Sequence, residues 1–379
     1  MIDSRRHGGG EARGPSRALL VTGGAGFIGS HFVEQWGAAH PHDRVVVLDA
    51  LTYAGRRAWL AAPEARGAIA FVHGDITNAA LVRDVMHTHA ITQVVHFAAE
   101  SHVDRSIAAP DAFVRTNVWG THVLLEAARA CWSLDGVVRP NVRFHHVSTD
   151  EVYGALEPGT PAFTEASAYR PSSPYSASKA AADHLVRAAG RTYGLPWSIT
   201  HSANNYGPRQ YPEKLIPAMV RRALHGEPMP LYGDGHQTRE WLHVHDHNAM
   251  LASVLLAPDM AGQSVNLGTA EERTNLDVVT MVCDAVDAWF ADPAQYPLAE
   301  RFASCPAACG VSCRTLITHV ADRPGHDRRY ALDASLYARR FGPPPTRPFE
   351  AGLRETVRWA VMHDGCWEES TAQTTPAGA

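Results

Sequence analysis

No apolar run in these 379 residues approaches the roughly 20 that a membrane-spanning helix requires. Nor does Met1 to Arg17 contain the apolar stretch of a secretory signal. A cytoplasmic protein is therefore expected. Positive charge is also in short supply. Lys and Arg number 34 against 39 Asp and Glu, a formal net charge of −5, which leaves no basic footprint for nucleic acid or an anionic membrane surface. Cysteine is sparse, and a reducing compartment makes a disulfide framework unexpected. Cys305, Cys309 and Cys313 recur every fourth residue. That spacing differs from the C-x2-C pairs of zinc sites and no fourth ligand follows, so the reading is a surface insertion with free thiols and no metal. No internal repeat is visible. The 22 histidines read as scattered over loops, without metal spacing.

What is present is strand–helix alternation. Arg17 to Thr22, Arg44 to Asp49, Ile69 to His73, Gln93 to Ala98, Val142 to Ser148 and Trp197 to His201 are short apolar strands. Helices are expected over residues from Phe27, over Ala79 to His89, Asn117 to Trp132 and Pro174 to Tyr193. Such alternation predicts an α/β fold, a Rossmann-like doubly wound parallel sheet with right-handed crossovers. After Asn205, prolines at 208, 212, 217, 228 and 230 break the pattern. The expected layout is a disordered leader over 1–16, a dinucleotide-binding domain over 17–204 with a return around 236–268, a smaller substrate-binding region over 205–365, and a disordered tail over 366–379. Within the return, Val265 to Leu267 would rejoin the main sheet.

Gly23, Gly26 and Gly29 punctuate the turn between the first strand and its helix, which opens at Phe27 and Ile28. Glycines there permit a tight turn and a close approach of backbone to a pyrophosphate, with the helix N-terminus supplying N–H donors. Asp49 follows Gly29 by twenty residues, at the end of the second strand. An acid there accepts from ribose hydroxyls and repels a 2′-phosphate, so NAD is favoured over NADP as cofactor. Asp75-Ile76 ends the third strand, where it holds the adenine or simply turns the chain. Ala98-Ala99 ends the fourth, where small residues let the cofactor lie against the sheet; Glu100 is either a substrate hydroxyl acceptor or a solvated loop acid.

Tyr175 and Lys179 lie four residues apart on a helix that Pro174 opens. One face then carries phenol and ammonium together, and the positive charge is expected to lower the phenol pKa. Ser148-Thr149-Asp150-Glu151 follows the fifth strand, at the edge where open α/β sheets place ligands. Thr149 can bond a hydroxyl under oxidation, and two adjacent carboxyls suit an acid and a base.

With these motifs the chain resembles the nucleotide-sugar 4,6-dehydratases of the extended short-chain dehydrogenase/reductase family, from about Arg17 to Trp359. The segments that carry the likeness are His96 to Ser106, Phe144 to Gly154, Tyr175 to Pro196, Asn204 to Pro217 and Arg323 to Tyr330. The Thr149-Asp150-Glu151 triplet separates dehydratases from the family's epimerases. The resemblance implies that Tyr175 takes the C4 hydroxyl proton of a dTDP-linked glucose while NAD⁺ takes the hydride. Glu151 then removes the C5 proton, Asp150 protonates the departing C6 hydroxyl, and the hydride returns to C6. It further implies substrate contacts from Ser101, Asn204, Glu213 and Lys214, stacking of Tyr232 on the base, diphosphate neutralisation by Arg239 and Arg323, and Asn266 and His326 nearby. A homodimer paired through Thr116 to Trp132 and Pro174 to Tyr193 is also implied.

The sequence departs from the family pattern at Arg209-Gln210-Tyr211, at Glu240, at His243 to His247, at His201 to Ala203, and over a long Ala291 to Arg314. These bear on base and sugar rather than on the reaction. A dehydratase of another nucleotide sugar, a UDP-sugar 4-epimerase, a decarboxylase and a non-catalytic NAD-binding protein remain the alternatives.

Overall fold

The computed structural model describes residues 17–292, 294, 300–322 and 325–367. The leader over 1–16 and the tail beyond Trp367 lie outside the described residues, as does Arg323. Trp367 itself is packed: Arg56 donates to its carbonyl at 2.9 Å and its ring meets Trp59 edge-on at 5.6 Å.

Seven parallel strands form the central sheet: β1 (Ala18–Thr22), β2 (Arg44–Asp49), β3 (Ile69–His73), β4 (Gln93–His96), β5 (Arg143–Thr149), β6 (Trp197–Ser202) and, late in the chain, Gln263–Leu267. In space they run Gln263–Leu267, β6, β5, β4, β1, β2, β3. The Rossmann-like, doubly wound class predicted from the sequence is the one observed.

The strand sequences explain the double winding. In β2, Val45 and Val47 belong to one core cluster and Val46 and Leu48 to the other, as the two-residue repeat of a strand requires when both faces are covered. Helix α1 (Phe27–Ala39) covers one face through Phe32, Val33 and Trp36. Helices α2 (Ala79–Thr88), α3 (Thr121–Trp132) and α4 (Pro174–Tyr193) cover the other through residues such as Val85, Leu124 and Val186. The helix expected from Asn117 does not begin as a regular α-helix there. Val114–Gly120 is a π-helical turn that leads into α3, a distortion that often marks functional positions.

Helix α4 is fixed at both ends. Ser173 and Ser176 cap each other reciprocally, at 3.1 and 3.0 Å, and Pro174 occupies the first turn. Gly194 ends the helix with φ 68°.

A third core lies outside the sheet, among α5 (Leu215–Leu224), α6 (Asn275–Phe290) and α7 (Phe349–Met362). Cys305 and Cys313 are fully buried in it with their sulfurs 3.8 Å apart, while Cys309 is exposed. The surface-insertion reading of this segment is therefore corrected: two of its three thiols behave as small core hydrophobes. The histidine reading is corrected too. His96, His145, His146 and His201 sit within strands and are buried. No described helix is long and apolar enough to cross a membrane.

Candidate active site

The strand ends converge on one cleft of about 340 Å³. At one end lies the glycine turn. Gly23 has φ +70°, and a Cβ there would stand 2.6 Å from the Ala98 nitrogen. A Cβ on Gly29 would stand 2.3 Å from the Gly23 carbonyl oxygen. Only glycine allows β1, the turn and the end of β4 to approach this closely. No side chain caps α1 at Gly26, so the N–H groups of its first turn remain for a ligand. Asp49 accepts from the backbone N–H groups of Ala25 and Leu51, both at 2.8 Å. It braces the turn as well as lining the cleft, and burial raises its pKa. Each carboxylate oxygen keeps a further lone pair for a hydroxyl. These features fit a dinucleotide: a cradle without Cβ atoms, open N–H donors and an acid at the tip of β2. Phe27, Ile28, Asp75, Ile76, Ala98 and Ala99 line the same end. Asp75 also makes the turn, accepting from Thr77 N–H at 2.8 Å.

At the other end lie Thr149, Asp150, Glu151, Tyr175 and Lys179. Thr149 ends β5, and its hydroxyl donates to Asp150 Oδ1 at 3.2 Å. Asp150 is 2 % exposed. Burial, then Glu151 and Glu240, hold its carboxyl well above the usual range, against the pull of Arg239 and the Thr149 bond. Tyr175 is pushed upward as well, first by burial and then by Glu151. That corrects the expectation of a phenol lowered by its lysine. The Lys179 ammonium is engaged elsewhere, donating to the Val147 carbonyl at 2.8 Å. Burial lowers its own pKa to about 8, while Asp183 pulls it up.

Of the expected substrate contacts, Ser101, Asn204, Glu213 and Lys214 line the cleft. Lys214 donates to the Ser101 carbonyl at 2.7 Å. Asn266 does not line it. Fully buried at the sheet edge, it accepts from Tyr153 OH at 3.0 Å and donates to Phe163 O at 2.9 Å, so its amide already serves the protein. Arg239 also lies outside the lining. It donates to Thr238 O and Asp327 O, each at 2.9 Å, and lies over the Tyr330 ring at 4.3 Å; its charge nonetheless reaches Asp150. Tyr232 and His326 meet each other edge-on at 6.1 Å outside the lining, with His326 2.6 Å from Asp322.

Two residues escaped the sequence reading. Asn117, in the π-helical turn, donates to Ser178 Oγ at 2.8 Å and to Glu100 O at 3.0 Å, tying the end of β4 to the helix that carries Tyr175. Tyr53, in the loop after β2, donates to Glu213 at 3.0 Å and packs under Arg105 at 3.7 Å. An aromatic just past the ribose acid was the available signal for Tyr53. Asn117 gave none, because only the turn's distortion aims it.

The family model for GDP-mannose 4,6 dehydratase matches residues 20–356. A dTDP-glucose 4,6-dehydratase of Xanthomonas campestris pv. campestris is 50% identical over 345 residues, 91% of this chain and 93% of that protein. Another from Escherichia coli K12 is 48% identical over 91% of this chain and 93% of its own length. Among solved structures, the dTDP-glucose 4,6-dehydratase DesIV of Streptomyces venezuelae, with NAD and TYD bound, superposes with a TM-score of 0.81 at 45% identity, covering 93% of this chain and 99% of that one. A Thermus thermophilus UDP-glucose 4-epimerase in complex with NAD reaches 0.75 at 30% identity, covering 90% and 98%.

Proposed function

The chain belongs to the nucleotide-sugar 4,6-dehydratases, and from that membership and the cleft's geometry we propose a division of labour among its residues. The enzyme is a hydro-lyase that converts dTDP-glucose to the 4-keto-6-deoxy sugar nucleotide with NAD as cofactor. The Gly23 to Gly29 turn and the open end of α1 hold the cofactor's pyrophosphate, and Asp49 its ribose. NAD held there would supply the acceptor for the C4 hydride and the donor for its return at C6. The remaining steps fall to side chains.

Tyr175 takes the C4 hydroxyl proton, with Thr149 lining the cleft beside it. The ketone acidifies the C5 hydrogen, which Glu151 removes. Asp150 gives its proton to the C6 hydroxyl, which leaves as water. After hydride return, Glu151 hands its proton back to C5. Tyr175 gains one proton and Asp150 loses one, so the total is unchanged and the site resets once a proton passes from Tyr175 to Asp150. Proton transfers of this kind contribute about 10² to 10⁴ each.

One observation carries the reading. Asp150 is buried beside Glu151, and that burial and its anionic neighbours hold its carboxyl well above the usual range, so one carboxyl suits an acid while the next serves as the base. A 4-epimerase has no use for such an acid at C6. Incubation with dTDP-glucose should yield the alkali-absorbing ketone without net accumulation of NADH, and faster than with UDP- or GDP-glucose. Release of NADH in proportion to substrate would overturn the reading.

A cytoplasmic homodimer accompanies this function. Support comes from Val114 and Trp119, 56% and 52% exposed on the π-helical turn before α3. Light scattering on the eluted protein tests it: a monomer mass at micromolar concentration would exclude the dimer.

A further inference from the structure

Behind Tyr175, the sheet side of α4 carries charge into the buried interior. Lys179 Nζ lies 3.3 Å from His146 Nε2. The same imidazole nitrogen lies 3.4 Å from Asp183 Oδ1. Lys179 and Asp183 are four residues apart on α4 and so share a face. Both are buried, and the carboxylate is wholly so. Its Oδ2 accepts from Tyr169 OH at 2.7 Å and Ser148 Oγ at 3.0 Å, and faces His201 Nε2 at 3.0 Å. Of these partners Ser148 lines the cleft, as Lys179 does, while Asp183, Tyr169 and His201 do not.

The charge balance there is narrow. From β4, His96 faces His146 with ring centroids 5.1 Å apart. His146 stands on β5 and His201 on β6, and Arg187 on α4 donates to Tyr169 OH at 2.7 Å. Burial holds His96 and His146 below their ordinary pKa, so both imidazoles are neutral. The Lys179 ammonium and the Asp183 carboxylate both meet the same nitrogen, His146 Nε2. Neither could persist charged in such a place alone.

We propose that Asp183 is a positioning residue for the reaction: its buried carboxylate is the counter-ion that keeps the Lys179 ammonium charged beside Tyr175. The proposal rests on the reading of Lys179 as part of the C4 oxidation machinery. Asp183 touches neither sugar nor cofactor; it acts through the lysine.

The test is a pH profile of kcat for dTDP-glucose in the full-length enzyme. In Asp183→Asn the ammonium loses its counter-ion, so the alkaline limb should move toward lower pH by about one unit or more. A merely structural role would lower the rate at every pH and leave the limb in place, and that result would overturn the proposal. Lys179→Met separates the two readings: full activity there sinks the catalytic role of the lysine, not the ion pairing. A folding cycle covers an Asp183→Asn variant too unstable to assay. Each single change leaves one buried charge unpaired, so the double variant Lys179→Met/Asp183→Asn should melt above Asp183→Asn alone. Additive losses in melting temperature would contradict the pairing.

Discussion

The Asp150 carboxyl uses its two oxygens differently: Oδ1 lies 3.2 Å from the Thr149 hydroxyl, while Oδ2 meets no hydrogen-bond partner among the described residues. A buried, partnerless oxygen on a carboxyl whose pKa is raised suits the proton that the proposed mechanism gives to the C6 hydroxyl. Glu151, next in the chain, is only partly buried, and its backbone N–H donates to Thr149 Oγ1 at 3.3 Å. Adjacent residues thus hold different environments, the condition for two carboxyls to take opposite roles.

Asp150→Asn keeps the shape and removes the transferable proton. Dehydration should fall by about 10² to 10⁴ while C4 oxidation survives, seen as reduced nicotinamide building up on the enzyme. Glu151→Gln should likewise spare C4 oxidation but abolish exchange of the C5 hydrogen with solvent. Equal loss of both half-reactions in either variant would contradict the assigned roles.

The pH dependence follows from Lys179, lowered to about 8 by burial. The cation is present below that value and lost above it, so kcat should be level on the neutral side and decline as pH rises through about 8. Stability moves in the opposite sense. Unfolded lysine titrates near 10.5, so between about 8 and 10.5 the unfolded chain binds the extra proton. The part of folding stability owed to this group therefore rises with pH across that window. Chemical denaturation at several pH values checks the sign.

Asp49 should set cofactor choice. Asp49→Asn weakens acceptance from ribose hydroxyls and removes repulsion toward a 2′-phosphate. NAD affinity should fall about 10- to 100-fold, the worth of a charged hydrogen bond, and the ratio of NADP to NAD affinity should rise. Cofactor titration by fluorescence measures both.

The glycines of the turn were readable from sequence because their constraint is local: residue type, spacing and the strand before them suffice. The same holds for Tyr175 and Lys179 on one helix face, and for the Thr149 triplet at a strand end. Contacts between distant segments were not readable. His146 and His201 stand in strands that a hydrophobic pattern places without saying what their imidazoles meet. Arg239 and Asn266 match a motif, yet Arg239 is turned to backbone carbonyls and the Tyr330 ring, and Asn266 to Tyr153 and Phe163. Cys305 and Cys313 looked like surface thiols because only the folded third core shows what covers them.

That core makes its own prediction. Brief alkylation of the native protein should label Cys309, which is exposed, before Cys131 and Cys366, and leave Cys283, Cys305 and Cys313 unmodified until denaturant is added. Mass spectrometry of peptides reads the order. Early labelling of Cys305 or Cys313 would contradict the burial.

A pair of glycine substitutions tests the cradle. Gly29→Ala drives a methyl into the Gly23 carbonyl oxygen and should cost about 1–3 kcal/mol together with NAD binding. Gly37→Ala, on the same helix with nothing within 4 Å of the added carbon, should be neutral or stabilise by about 0.5–1 kcal/mol. Thermal melting with and without NAD distinguishes them.

The most direct test follows the hydride. dTDP-glucose carrying deuterium at C4, turned over in ordinary water, should yield a product with deuterium at C6, because the hydride lost from C4 returns there while Tyr175, Asp150 and Glu151 are assigned only protons. Product without deuterium at C6, or a product retaining its C6 hydroxyl, would contradict the account.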